Sequence, residues 1–223
     1  MLDRGYHADS DQRHEVKPMS TQQSHWEQVY QTKKADAVSW YRPHLETSLA
    51  LIQKAVTDQQ SSIIDVGGGE STLVDDLLDS GFSDISIFDI SATALQVAQQ
   101  RLGSLASTVN WLVGDITQAD LPTHRYDVWH DRAVFHFLTQ PEQRAAYVHQ
   151  VRKAVKPGGH VILATFAPDG PEKCSGLEVV RYDAVALHRQ FGESFRLIKS
   201  QREAHQTPFG TTQQFVYCYC QIE

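Results

Sequence analysis

Apolar residues recur along this chain at two periods, and the switch between them divides it. Trp26, Val29 and Tyr30 fall on one face of a short helix over residues 24–34. Trp40-Tyr41-Arg42-Pro43 interrupts that pattern, and Leu45, Leu49, Ile52 and Val56 then mark one face of a second helix. From residue 62 the pattern changes. Short apolar runs at 62–66, 84–89, 109–113, 126–130 and 160–165 read as strands. Helical patterns separate most of them: residues 71–80, closed by Gly81, residues 92–102 behind Ser91 as N-cap, and residues 142–155. Lys156-Pro157-Gly158-Gly159 reads as the turn into the fifth strand. Residues 166–181 read as a long loop and 182–191 as a helix. Residues 195–202 and 214–220 read as two strands joined without a helix, so they pair antiparallel.

Strands alternating with helices predict an α/β fold: a three-layer, Rossmann-like sandwich around a mostly parallel sheet. With 223 residues there is room for one such domain. The division expected is a disordered extension over residues 1–18, an N-terminal helical lid over 19–60 and a catalytic domain over 61–223. Residues 1–18 are polar, rich in charge and histidine, and lack apolar periodicity. Met19 stands where ordered patterning begins and is expected to be the physiological start.

Composition narrows the partners. The net charge of −7 gives phosphate backbones no electrostatic reward, so nucleic acid is not an expected partner. No run is long and apolar enough for a bilayer, and no signal peptide is visible, so no membrane and a cytoplasmic location are expected. Cys174, Cys218 and Cys220 show neither zinc nor disulfide spacing and read as buried free thiols. No metal site is expected.

The chemistry gathers at the strand ends. Asp65-Val66-Gly67-Gly68-Gly69-Glu70-Ser71 puts glycines at a strand-to-helix turn, where backbone can approach a ligand closely. Asp89 closes the second strand, at about the interval expected of a carboxylate that accepts from ribose hydroxyls. Asp115 ends the third strand, in position to accept from an adenine amino group, and Asp131 follows the fourth. All lie at the carboxyl ends of strands, where open α/β sheets bind ligands. A dinucleotide would call for a third glycine where Thr72 stands, and its pyrophosphate would meet the anionic Asp65. S-adenosylmethionine has no phosphate, and its ammonium and sulfonium favour nearby carboxylates. The pattern therefore prefers S-adenosylmethionine to a nicotinamide cofactor. A nicotinamide-dependent oxidoreductase and a non-catalytic cofactor-binding scaffold are the competing readings.

At these residues the chain resembles the class I S-adenosylmethionine-dependent methyltransferases, from about residue 61 to its end. Residues 65–71 look like that family's D-x-G-x-G-x-S/T motif, with Gly68 at a position often small or Cys in relatives. Asp89 looks like its ribose acid with Ile90 against adenine, Gly114-Asp115-Ile116 like its adenine segment, and residues 156–159 like its turn into strand five. The resemblance implies a seven-stranded sheet with the last strand antiparallel. Within the class, the chain is similar to small bacterial methyltransferase-domain proteins in residues 25–30, 38–41 and 129–138. The first two segments also resemble the N-terminal aromatic lid of thiopurine and eukaryotic lysine methyltransferases.

The expected donor-binding set is Trp26, Tyr30, Trp40, Asp65, Gly67, Gly69, Ser71, Asp89, Ile90, Asp115, Ile116 and His130, the last through its backbone. Trp26, Tyr30, Trp40 and Tyr41 would close over the sulfonium by cation–π attraction and exclude water. Methyl transfer from sulfur is an in-line displacement, so positioning supplies much of the catalysis, and a base is required only for a protonated, weakly acidic nucleophile. Asp131 and His136 are the residues expected to face the acceptor, with Cys174 as a candidate soft contact. The acceptor is expected to be a small molecule rather than a protein lysine, because nothing suggests an extended acidic peptide groove.

Overall fold

A computed structural model describes residues 19–223; the expected disordered extension lies outside the described residues. The chain forms helix α1 (Thr21–Thr32), helix α2 (Glu46–Ala55), strand β1 (Ser62–Val66), helix α3 (Leu73–Asp79), strand β2 (Asp84–Asp89), helix α4 (Ala92–Leu102) and strand β3 (Val109–Val113). It continues through β4 (Tyr126–Arg132), α5 (Pro141–Ala154), β5 (Val155–Phe166), a two-residue hairpin β6 (Lys173–Cys174) and β7 (Leu177–Glu178), α6 (Ala184–Phe191), β8 (Phe195–Gln206) and β9 (Thr212–Ile222). Seven strands make one sheet in the order β3-β2-β1-β4-β5-β9-β8. β1 to β5 are mutually parallel; β9 runs antiparallel to both β5 and β8. This is the Rossmann-like sheet with its last strand reversed, as the alternating pattern and the resemblance implied. No helix among the described residues is long and apolar enough to cross a membrane.

The layers follow from the apolar faces. Ile63, Ile85, Val128 and Ile162 point to one side of the sheet and pack under Ile52 of α2, Leu73 and Leu77 of α3 and Leu95 of α4. Ile64, Trp129, Val161 and Leu163 point to the other, under Tyr147 and Val151 of α5 and Leu187 of α6. All five residues of β1 are buried, the mark of a strand covered on both faces. The caps are local. Ser91 Oγ accepts from Ala94 N at 3.1 Å, as expected of the N-cap of α4. Gln140 caps α5 in a reciprocal box with Gln143, with Pro141 in the first turn.

Three sequence-based boundaries move. Residues 156–159 are not a separate turn: they belong to β5, where the register against β4 shifts between Tyr126 and Val128. The extra residues form a bulge that the sequence signals only as a turn. The stretch after β5 is not a plain loop but carries the β6–β7 hairpin, turned by Ser175 and Gly176 with φ +50° and +81°. And α2, placed by sequence with the lid, belongs to the helical layer on one face of the sheet: Ile52 is fully buried against the strands.

Candidate active site

The carboxyl ends of β1, β2, β3 and β4 open into one cavity. On the β2–β3 side its wall is Phe88, Asp89, Ile90, Gly114, Asp115 and Ile116. On the β4–β5–β9 side it is Arg132, Ala133, Val134, Phe137, Leu138, Phe166, Cys174 and Phe215. Gln22, Trp26, Tyr30 and Trp40 of the N-terminal segment also line it. A second cavity adjoins it and shares Tyr30, Trp40, Gly67 and Arg132. Arg42, Asp65, Glu70, Ser71 and His130 line this second space.

The glycine turn between the cavities is held by sterics. Gly67 has φ +75°, and its N–H donates to Phe88 O at 2.7 Å. A Cβ there would lie 2.0 Å from Val134 Cγ2, so no other residue fits without displacing the wall. Gly69 has φ +40°, with its would-be Cβ 3.0 Å from an Asp89 carboxylate oxygen and 3.2 Å from the Tyr30 hydroxyl. Arg101 of α4 fastens the turn from outside, donating to Glu70 O at 2.9 Å and Ser71 O at 2.6 Å.

The acids differ in what already satisfies them. The Asp65 carboxylate meets His130 Nδ1 at 2.7 Å, both side chains being buried. Asp89 accepts from Ser91 N at 2.9 Å. Burial, reinforced by the charges of Asp65 and Glu27, pushes its pKa up to about 7. Glu70 is likewise raised to about 7 by burial, against the pull of Arg101; its Oε2 is buried without a partner. Asp115 turns its own loop, accepting from Thr117 N at 2.9 Å, Thr117 Oγ1 at 2.7 Å and Gln118 Nε2 at 3.2 Å. A carboxylate has about four lone-pair sites, so an acceptor position remains open. Ser71 Oγ accepts from Leu73 N at 3.2 Å and starts α3.

Asp131 and His136 are elsewhere. Asp131 is fully buried behind the cavity wall. It accepts from Val134 N at 2.8 Å, Phe135 N at 3.1 Å and the Tyr147 hydroxyl at 2.5 Å, and Trp129 Nε1 donates to that same hydroxyl at 2.9 Å. This grip shapes the turn after β4, in which Ala133 holds φ +77°, a strained value for a residue with a Cβ. His136 is also fully buried; Phe166 N donates to its Nδ1 at 3.4 Å. Burial and the nearby Arg132 push its pKa down to about 3, too weak a base to take a proton near neutrality. The sequence signal, polar residues just past a strand end, was the same for Asp131 as for Asp89. Side-chain alternation separates them: His130 and Arg132 point to the cavity face, while Trp129 and Asp131 point under α5.

Three residues at the site had no signal specific enough to select them. Arg132 lines both cavities with its side chain 6% exposed. Its guanidinium stacks 4.2 Å from the Phe215 ring centroid, and its Nε–H is buried without a partner. Phe137 meets Trp26 edge-on at 5.1 Å, joining the rings of Trp26, Tyr30 and Trp40, which lie 5.9 to 6.4 Å from one another. Glu27 on α1 accepts from Ala92 N at 2.7 Å, Ser91 Oγ at 3.1 Å and Thr93 N at 3.3 Å, a carboxylate seated on the positive end of α4.

Comparison with known proteins agrees with this geometry. Residues 63–159 match the family model described as Methyltransferase domain. The eEF1A lysine and N-terminal methyltransferase of Mus musculus is 26% identical over 138 residues, 62% of this chain and 19% of that protein. The malonyl-[acyl-carrier protein] O-methyltransferase of Halalkalibacterium halodurans is 33% identical over 116 residues, 50% of this chain and 41% of that enzyme. The chain thus spans less than half the length of either relative. A S-adenosylmethionine-dependent methyltransferase from Anabaena variabilis superposes with a TM-score of 0.68 at 14% identity, over 93% of this chain and 97% of that one. Residues 63–159 thus carry a similarity to methyltransferase domains, on a Rossmann-like sheet, and S-adenosylmethionine is the donor that this similarity implies.

The residues present fit that donor. Its adenine requires apolar faces and an acceptor, and Phe88, Ile90, Ile116 and Asp115 supply them. Its ribose hydroxyls require an acceptor such as Asp89. Its amino-acid end carries both charges, and the second cavity offers Asp65 and Glu70 beside Arg42. The unpartnered Glu70 Oε2 is a polar atom buried at a site where the donor's ammonium would satisfy it.

Proposed function

We propose that this chain methylates a small molecule that reacts inside the cavity. The observation that carries the reading is the aromatic lining of the cavity. Trp26, Tyr30 and Trp40 line the cavity together with Phe137, Phe166 and Phe215, so the acceptor end is walled by rings from two sides. An acceptor that enters whole fits this arrangement better than a lysine reaching in from an extended peptide. In this reading Asp65, Gly67, Gly69, Ser71, Asp89, Ile90, Asp115, Ile116 and His130 form the donor site. Residues 19–45 act as a lid, latched by Glu27. The chain's own contribution to catalysis is to hold the two reactants in line and exclude water, since the donor supplies an already activated methyl group.

The test is calorimetric titration with S-adenosylhomocysteine and with NAD, followed by product detection using labelled donor. Saturable S-adenosylhomocysteine binding, no NAD binding and label in a low-molecular-weight product are expected. Label found only in protein would favour the second reading, a protein lysine acceptor, which the similarity to the mouse eEF1A methyltransferase supports. Binding without any product would leave a cofactor-binding scaffold.

The latch has its own expected outcome. Glu27→Ala removes three hydrogen bonds and a helix-dipole contact on a partly exposed residue, each worth about 0.5–1 kcal/mol. Dissociation of S-adenosylhomocysteine, followed by stopped flow, should quicken by about tenfold. An unchanged off-rate would separate α1 from closure.

A further inference from the structure

We infer that the acceptor is anionic when it reacts: a ring-bearing thiolate, phenolate or carboxylate, oriented by Arg132 and needing no general base from the protein. This rests on the small-molecule reading above and deepens it. The acceptor end of the cavity, beyond β1, has one charged wall residue, Arg132. The other groups there are the aromatic rings of Phe137, Phe166 and Phe215 and the thiol of Cys174. Burial pushes that thiol up to about 12, so it is neutral and takes no proton from an acceptor at neutral pH. The acids lining the same cavity, Asp89 and Asp115, lie on its β2–β3 side. Among the described residues, then, no side chain on the acceptor side of the cavity wall is a base near neutrality.

The charge around Arg132 points the same way. Glu203, nearly buried, is shared between Arg132 at 3.4 Å and Arg42 at 3.5 Å; Arg42 also meets the exposed Glu46 at 2.9 Å. Arg132 and Glu203 are the nearly buried pair of this group, and Glu203 is shared with the more exposed Arg42. His205, whose Nε2 meets Ser39 O at 2.7 Å, is fully buried and has its pKa lowered by burial and by Arg132, so it adds no second cation. His136 is neutral for the same reasons. Arg132 retains a buried, unpartnered Nε–H, a donor suited to an anion, and its stacking on Phe215 places aromatic surface beside the charge. A lysine acceptor would meet the opposite conditions: its ammonium would enter beside a guanidinium and find no group to take its proton.

The step then balances without proton transfer. A lone pair of the acceptor anion forms the bond to the methyl carbon as the carbon–sulfur bond breaks, with its electron pair going to sulfur. One negative and one positive charge are cancelled, and a neutral thioether leaves.

The test uses the full chain saturated with S-adenosylhomocysteine and two probes of similar shape, 4-nitrophenol and 4-nitrobenzylamine, with binding measured by calorimetry between pH 5.5 and 8.5. The phenol should bind as its anion, with affinity rising through the probe's own ionisation, and the protonated amine should not bind. Arg132→Met should weaken phenolate binding by about tenfold or more, Arg132→Lys less, with S-adenosylhomocysteine affinity retained. Binding of neither probe, equal binding of both, or an Arg132→Met variant that binds phenolate normally would overturn the inference. So would an equal loss of S-adenosylhomocysteine, which would assign Arg132 to the donor's carboxylate. Failure of the parent chain to bind S-adenosylhomocysteine at all would instead overturn the functional reading on which it rests.

Discussion

Asp89→Asn is expected to weaken S-adenosylhomocysteine binding by about ten- to a hundredfold, and to make the ligand-free protein more stable than its parent above pH 7. Both effects come from one buried carboxylate. A charge-assisted hydrogen bond contributes roughly 1.5–3 kcal/mol, which sets the binding loss. The amide still presents an oxygen to Ser91 N, so the turn into α4 survives. Stability changes the other way. Burial, with Asp65 and Glu27 nearby, puts the folded pKa of Asp89 at about 7. In the unfolded chain it ionises near 4. Between those values the folded state holds the proton and the unfolded state does not, so unfolding free energy falls as pH rises across that window. The deficit is complete above 7. Asparagine has no such proton to lose. Glu70, raised to about 7 as well, leaves the variant a residual slope of the same sign. In the parent, hydroxyl donors of the ligand favour the ionised carboxylate, so affinity should strengthen as pH rises through about 7, with protons released on binding below it. Thermal melts at pH 5 and 8 check the first claim, and calorimetry in buffers of different ionisation enthalpy the second. A variant less stable than the parent at pH 8 would show that Asp89 is not held at a cost.

The contrast between Asp89 and Asp131 also shows what the chain made legible. The alternation of short apolar runs with helical spacing specified the sheet, because a strand buried on both faces has few sequences open to it. Strand ends were equally plain, and with them the place of the site. What was not legible was which face of the sheet each polar end residue would meet. Asp65, Asp89 and Asp131 look alike in one dimension. In space the first two line the cavities, while the third is turned under α5 by the period of two along β4. Long-range partners were hidden for a different reason. Glu27 reaches the start of α4, Glu203 reaches Arg132 and His205 holds Ser39 O, across 65, 71 and 166 residues of chain. Such contacts leave no local period for a sequence to display. The β5 bulge and the β6–β7 hairpin were missed because glycine and proline signal a bend without saying whether pairing continues through it.

Asp131→Ala should cost stability far more than chemistry. The carboxylate accepts from two backbone N–H groups and a tyrosine hydroxyl, all in a fully buried setting. Removing it leaves three donors without an acceptor, and breaking a buried hydrogen-bond network of this kind typically costs 3–5 kcal/mol. For a chain of this length that corresponds to a fall of roughly 10 °C in melting temperature. Tyr147→Phe deletes one of the three donors and orphans only Trp129 Nε1, so it should cost about a third as much. The double variant should cost less than the two singles combined, because both act on the same bond. Turnover per folded molecule, assayed well below the melting transition, should drop by less than about tenfold in Asp131→Ala. A general base contributes about 10²–10⁴. A loss in that range from a variant that is still folded and still binds S-adenosylhomocysteine would put Asp131 in the chemistry. A small loss would leave it as the residue that keeps Ala133 in its strained turn and Val134 against the Gly67 backbone, holding the wall on which the reactants align.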